Sequence, residues 1–276
     1  MWDKNIEKIK TDYVALTNSY LHYEEFNLCT ISSHSVGIEG GTLNPEDTYY
    51  LYKCGETATR HQLYRKNEAD DHLNALIYMM KLAEKKHRLT ISDLKDISAL
   101  ILKKTAVVHH GLGGICNETI GDFRKGTSLA GPVVFMNYLK VPISTLNFVE
   151  QLRKDINDVK NPEDIYKLSF KAHFDLVNIH PFGNGNGRLS RLVMNYVQRY
   201  HGEPLSLIFK ENKSDYLISL NRSRNKNDLS YFYQFMFHQA QKYWLKEMDR
   251  LNLAQQKADQ IIEKQYPQQE KSKDSK

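Results

Sequence analysis

Residues 161–179 read as a helix apolar on two sides. Asn161 is placed to cap it, Pro162 suits the first helical position, and Glu163 and Asp164 complement the positive end of the helix dipole. Ile165, Leu168, Ala172 and Leu176 line one side, while Phe170, Phe174 and Val177 line another. A helix apolar on two sides belongs in an interior, so the rest of the chain must be built around it. It runs directly into the sequence HPFGNGNGRLSR at 180–191, which therefore begins at the end of a buried rod.

Beyond that turn, Leu189, Leu192, Val193, Tyr196 and Val197 recur at i, i+3, i+4, i+7 and i+8, the period of a second helix. A helix start carries free N–H groups and partial positive charge, which favours an anion. The loop from Gly183 to Gly187 has little side-chain bulk, so its amides can approach one closely. Arg188 and Arg191 stand one turn apart, off the apolar stripe, with the spacing to clamp successive phosphates. His180 can exchange a proton near neutral pH. Taken singly, each element is an ordinary turn or a structural histidine. Packed into twelve residues they point to a nucleotide's phosphates held beside a general base.

The run resembles the active-site motif of the Fic (Fic/Doc) family, HPF-x-(D/E)-GN-(G/K)-R-x-x-R. His180, Pro181, Phe182, Gly185, Asn186, Gly187, Arg188 and Arg191 match it. Residue 184 is Asn where the family has Asp or Glu. The resemblance implies an all-α fold, a Fic-type helical core with a small β-hairpin flap over the active site. It also implies transfer of AMP from ATP to a Tyr, Thr or Ser hydroxyl of a protein target, which includes the chain itself. His180 is then the catalytic base. Gly183, Asn184, Gly185 and Gly187 line the phosphate loop, with Asn186 and the loop amides on the α-phosphate, Arg188 on the β-phosphate and Arg191 on the γ-phosphate. Magnesium is expected as Mg-ATP, but Asn184 makes a protein-held metal site a poor one, because an amide is a neutral, weaker ligand for a hard cation. Tyr216 matches a family position near the nucleobase or ribose, with core packing beside Leu217 and Leu220 the competing reading; Asn221 or Asn225 is placed to bond adenine.

Between Gly121 and Tyr138, glycines, a proline and the run Val133-Val134-Phe135 break helical character and suggest an extended piece or hairpin. The family's flap follows a G-x-x-R element, here Gly121 to Arg124, and docks the target by strand addition, which implicates Val133, Val134 and Phe135. Upstream, Ser35-Val36-Gly37-Ile38-Glu39-Gly40 is similar to the inhibitory motif (S/T)xxxE(G/N) of one Fic class. There Ser35 and Glu39 share a helix face, Gly40 and Gly41 end the helix, and Glu39 pairs with Arg191 and so keeps it from ATP. The expectation is an autoinhibited protein adenylyltransferase. Its alternatives are a deAMPylating hydrolase that uses Glu39, and a catalytically weak nucleotide-binding module.

Helical periodicity also marks residues 70–86, 90–104 (with a Thr90–Asp93 cap), 213–222 and 228–247. The chain divides into an N-terminal helical region carrying the inhibitory motif (1–90), a core (91–247), and a helix end with a disordered tail (248–276). A formal charge of +5 with no basic stripe is too weak a footprint for nucleic acid, and no 18-residue apolar run exists to span a membrane. Cys29, Cys54 and Cys116 form no CxxC pair, which fits a reducing compartment, and MWDKNIEKIK lacks a signal-peptide pattern. A cytoplasmic chain is expected. His109 and His110, before a Gly-Leu-Gly-Gly turn, read as structural helix residues, and His173 as a satisfied buried histidine. A homodimer is implied only by the resemblance.

Overall fold

The doubly apolar helix is the inner rod of the fold. In the computed structural model, which describes residues 2–57, 59–111, 113–131 and 133–265, the Asn161 side chain accepts from Asp164 N at 2.9 Å and starts helix Pro162–Ile179. After the 180–185 turn, helix Asn186–Tyr200 packs back against it. All five residues of its predicted stripe are at most 2% exposed. Each such burial contributes about 1.5–3 kcal/mol, enough to fix the helix in place.

Numbered in chain order, the helices are α1 (Lys4–Thr17), α2 (Tyr23–Ile38), α3 (Pro45–Cys54), α4 (Leu63–Glu84), α5 (Ile91–Ile101), α6 (Val141–Asp158), α7 (Pro162–Ile179), α8 (Asn186–Tyr200), α9 (Lys213–Lys226) and α10 (Ser230–Gln265). Helices α2, α4, α5 and α7 all press on α8, while α6 covers α7 and α10 binds α1 and α9. One continuous core, from Leu94 and Ile97 through Leu176 and Val193 to Phe237, joins these layers. The expected all-α class therefore holds, with two small antiparallel hairpins among the described residues. These are β1 (Val108–Gly111) with β2 (Gly114–Asn117), and β3 (Leu129–Ala130) with β4 (Val133–Val134).

Two helix boundaries and one element type depart from the sequence reading. Helix α4 starts at Leu63 rather than Asp70, through a polar turn with no apolar stripe to announce it. Helix α10 runs to Gln265, well past residue 247. Residues 252–262 are exposed on every side there, so good helix formers carry it without a core to lie on. The tail expected after Tyr266 lies outside the described residues. His109 and His110 sit on β1, not on a helix, in a hairpin whose register pairs them with Cys116 and Ile115. Among the described residues no helix is long and apolar enough to cross a membrane.

Candidate active site

His180 ends α7 in the left-handed region, at φ 52° and ψ 59°. Such a conformation is uncommon for a residue with a side chain and persists only where its surroundings hold it. Arg124 does so. Its backbone N–H donates to Pro181 O at 2.9 Å, and its Nε to His180 O at 2.7 Å. Its other two nitrogens donate to Gly126 O at 2.8 Å and Met136 O at 2.5 Å. One buried guanidinium thus ties the base of the β3–β4 hairpin to the turn that carries the histidine.

The imidazole itself is stacked on one face. Phe135, directly after β4, stacks on it with centroids 3.8 Å apart and planes at 15°. Nδ1 lies 3.4 Å from Val177 O, which can only accept, so Nδ1 carries the proton and the lone pair is on Nε2. Burial lowers the His180 pKa to about 4; the Val177 carbonyl opposes this, and Arg124 and Arg224 add to it. Desolvation therefore favours the neutral form. Phe135 was expected to face a target. Instead it is only 8% exposed and folds inward, leaving Val133 half-buried and Val134 outward at 68%.

The loop after His180 is closed by its own asparagine. Asn186 Oδ1 accepts from Phe182 N, and Nδ2 donates to Phe182 O, each at 2.9 Å. Both ends of this side chain are used internally, so it shapes the loop. Gly185, at φ 76°, turns the chain into α8. A Cβ on Gly187 would lie 2.7 Å from Glu39 Oε1 and 3.2 Å from Arg191 Nη1, so glycine keeps the space over the helix start open.

Arg188 and Arg191 lie off the apolar stripe as predicted, yet both are buried, at 7% and 3% exposure. Arg191 Nε donates to Ser35 Oγ at 2.8 Å, and its Nη2 to Ser35 O at 2.9 Å and Glu39 Oε1 at 2.8 Å. Ser35 lies in the last turn of α2 and Glu39 caps it, with Gly41 N returning to Val36 O as the helix stops. Burial alone would raise the Glu39 pKa, but the charge and hydrogen bond of Arg191, helped by Arg188 and Lys213, hold it below the usual carboxylate value. Arg188 Nε and Nη1, and Arg191 Nη1, are buried without a partner among the described residues. Buried cationic donors left unpaired are costly.

Two expected positions behave differently. Tyr216 is 3% exposed, with its hydroxyl 3.1 Å from His173 Nε2 and its ring among core aromatics, so the packing reading describes it and a nucleobase contact does not. His173 keeps Nδ1 unpaired, so it is only half satisfied. Asn184 reaches Glu118 and His109. Its Nδ2 donates to Glu118 Oε1 at 2.6 Å and approaches His109 Nε2 at 3.4 Å. Neither Glu118 nor the roles of Arg124 and His109 stood out in the sequence; only the G-x-x-R pattern pointed near one of them.

Residues 88–198 match the Fic/DOC family model. That segment is a Fic domain. The matched residues run from α5 to α8 and include both hairpins and the 180–185 turn. Relatives include the protein adenylyltransferase Fic of Drosophila willistoni, 28% identical over 203 residues, covering 74% of this chain and 38% of that protein. The protein adenylyltransferase fic-1 of Caenorhabditis elegans is 28% identical over 210 residues, with the same two coverages. The chain thus spans 38% of the length of either relative. In fold, the chain is similar to a Fic domain containing signaling protein from Bacteroides thetaiotaomicron. The TM-score is 0.73 at 22% identity, covering 88% of this chain and 95% of that one.

Proposed function

We propose that the chain is an autoinhibited protein adenylyltransferase that moves AMP from ATP to a protein hydroxyl. The observation that carries this reading is a neutral imidazole beside a helix start and two buried guanidinium groups with unpaired N–H donors. A triphosphate supplies the anion those donors lack. His180 Nε2 takes the proton of the attacking hydroxyl, the hydroxyl oxygen bonds to the α-phosphorus, and the bond to the bridging oxygen breaks to release pyrophosphate. Amides at the α8 start hold the α-phosphate, and Arg188 and Arg191 take the growing charge on the leaving group. Magnesium arrives with the nucleotide and neutralises its phosphates.

In this reading residues 1–90 are the regulatory region and 91–247 the catalytic core. Glu39 holds Arg191 away from the γ-phosphate. The exposed Val134 and the short edges of β3 and β4 receive the target by strand addition. The three cysteines, all free, suit a reducing compartment such as the cytoplasm. The test is the mass of purified Glu39→Gly protein after incubation with ATP. A gain equal to AMP on the chain or on an added target supports the proposal, and no gain with any target removes it.

A second reading, hydrolysis of AMP from a modified protein, draws on one observation. Glu39 stays ionised, and its side chain, 39% exposed, keeps an open side beside the site. A carboxylate so placed can orient water. Loss of AMP from a modified target with the wild-type chain, and not with Glu39→Gly, would identify that activity.

A further inference from the structure

Position 184 has an amide where the Fic pattern has a carboxylate, yet a carboxylate stands directly beside it. Glu118 follows β2 at the start of a short 3₁₀ turn and is 3% exposed. Its Oε2 accepts from Val107 N at 2.9 Å. Its Oε1 accepts from Asn184 Nδ2 at 2.6 Å and lies 2.7 Å from His109 Nε2. The fit against the loop is tight, since a Cβ on Gly183 would lie 2.9 Å from the same oxygen. The β1–β2 hairpin thus presses a charged oxygen against the entrance of the phosphate loop.

A buried anion beside a polyphosphate is unfavourable unless a cation lies between them. Asn184 brings no charge. A carboxylate only accepts, so Asn184 must present its NH₂ group to Glu118, which turns its own Oδ1 the other way. His109 brings charge only when protonated. Among the described residues no three His, Cys, Asp or Glu side chains gather as a free-standing metal site. Magnesium and manganese do not need one at a nucleotide, because one or two carboxylates suffice when phosphate oxygens and waters complete the octahedron.

We propose that Glu118, delivered by the β1–β2 hairpin, is the carboxylate that meets the divalent cation of a bound nucleotide, in place of residue 184. His109 steadies that carboxylate while no cation is present, and Asn184 serves as a neutral neighbour. The inference rests on the nucleotide-binding reading above.

The test is calorimetric titration of the full chain carrying Glu39→Gly with α,β-methylene-ATP, which cannot give up AMP, in EDTA and in MnCl₂. Manganese is expected to tighten binding about 10–100-fold. Adding Glu118→Gln is expected to shrink that gain to about twofold or less, with metal-free affinity held or raised, and Asn184→Asp on top to restore it. A manganese gain unchanged by Glu118→Gln overturns the proposal, as does failure of Asn184→Asp to restore it. Should Glu118→Gln unfold by circular dichroism, Asn184→Asp alone decides. A second carboxylate beside Glu118 must weaken metal-free binding and enlarge the manganese gain, and an unchanged gain overturns the assignment. Absence of analogue binding with and without metal would instead strike at the nucleotide-binding reading itself.

Discussion

Arg191 of α8 and Glu39 at the end of α2 are joined by a 2.8 Å ion pair across 152 residues of sequence. Ser35 accepts two further hydrogen bonds from the same guanidinium, so its position is fixed by α2. Glu39→Gly removes the only carboxylate in that set and leaves Nη2 bonded to Ser35 O alone. AMP incorporation is expected to rise about a hundredfold, the scale on which small misplacements of reacting groups act. Radiolabelled ATP and gel autoradiography will check this, and equal labelling of both forms would contradict it.

The pH dependence of the brake follows from the depressed Glu39 pKa. A carboxyl whose folded value lies below its ordinary one makes its pairing contribution in full above about 4.5 and loses it only as pH falls further. The activity ratio of Glu39→Gly to wild type is therefore expected to stay level from pH 8 to about 5. If wild-type activity climbed toward that of the variant on acidification to pH 5, the pairing would be weaker than the geometry implies.

His180 is neutral well below its ordinary value because Phe135 and the surrounding core desolvate it. The acid limb of kcat/KM is expected near pH 4 rather than 6.5. Phe135→Ala opens the ring to water, so the limb should move upward and the rate should fall as the imidazole loosens. His180→Ala should abolish transfer in the Glu39→Gly background. The same shift affects folding. The contribution of a histidine kept neutral is whole above about 6.5 and is lost as pH falls toward about 4, where the unfolded chain binds the proton more readily.

The parts legible in the sequence were those set by local chemistry. The caps at Thr90 and Asn161 formed as read, including a full capping box at Thr90. The stripes of α7 and α8 were buried as their period required, because apolar spacing is a property of consecutive residues. The β1–β2 hairpin escaped notice because His109-His110-Gly111 shows no apolar alternation. The contact of Glu118 with Asn184 spans 66 residues, and no local pattern encodes it. The resemblance places Asn186 on the α-phosphate, but a polar group in a tight turn can also bond back to its own backbone. Tyr216 was ambiguous for a related reason: an aromatic hydroxyl is equally at home beside a ligand or a buried histidine.

Arg124 joins four backbone carbonyl oxygens with four donors, and it is 5% exposed. Lysine has three donors on a point-like ammonium and cannot reproduce that fork. Arg124→Lys should lower the rate about a hundredfold by letting His180 leave its left-handed conformation. Nucleotide affinity should change much less, since no phosphate contact is assigned to Arg124. A parallel loss of affinity and rate, measured by calorimetry beside turnover, would place Arg124 in the phosphate site instead.

Asn186 offers the sharpest separation of structure from ligand contact. Its side chain is 3% exposed and bonded at both ends to Phe182, so Asn186→Ala leaves a buried N–H and a buried C=O of Phe182 unsatisfied. That should cost about 1–3 kcal/mol for each group left bare, visible as a lower midpoint in urea without nucleotide present. Asn186→Asp keeps the acceptor for Phe182 N but turns the other contact into repulsion between the carboxylate and Phe182 O. It should therefore also be destabilised, most strongly above pH 5 where the new carboxyl is ionised. If both variants melted like wild type and lost only nucleotide affinity, the side chain would have to reorganise toward the phosphates on binding, and its closure on Phe182 would describe the nucleotide-free loop alone.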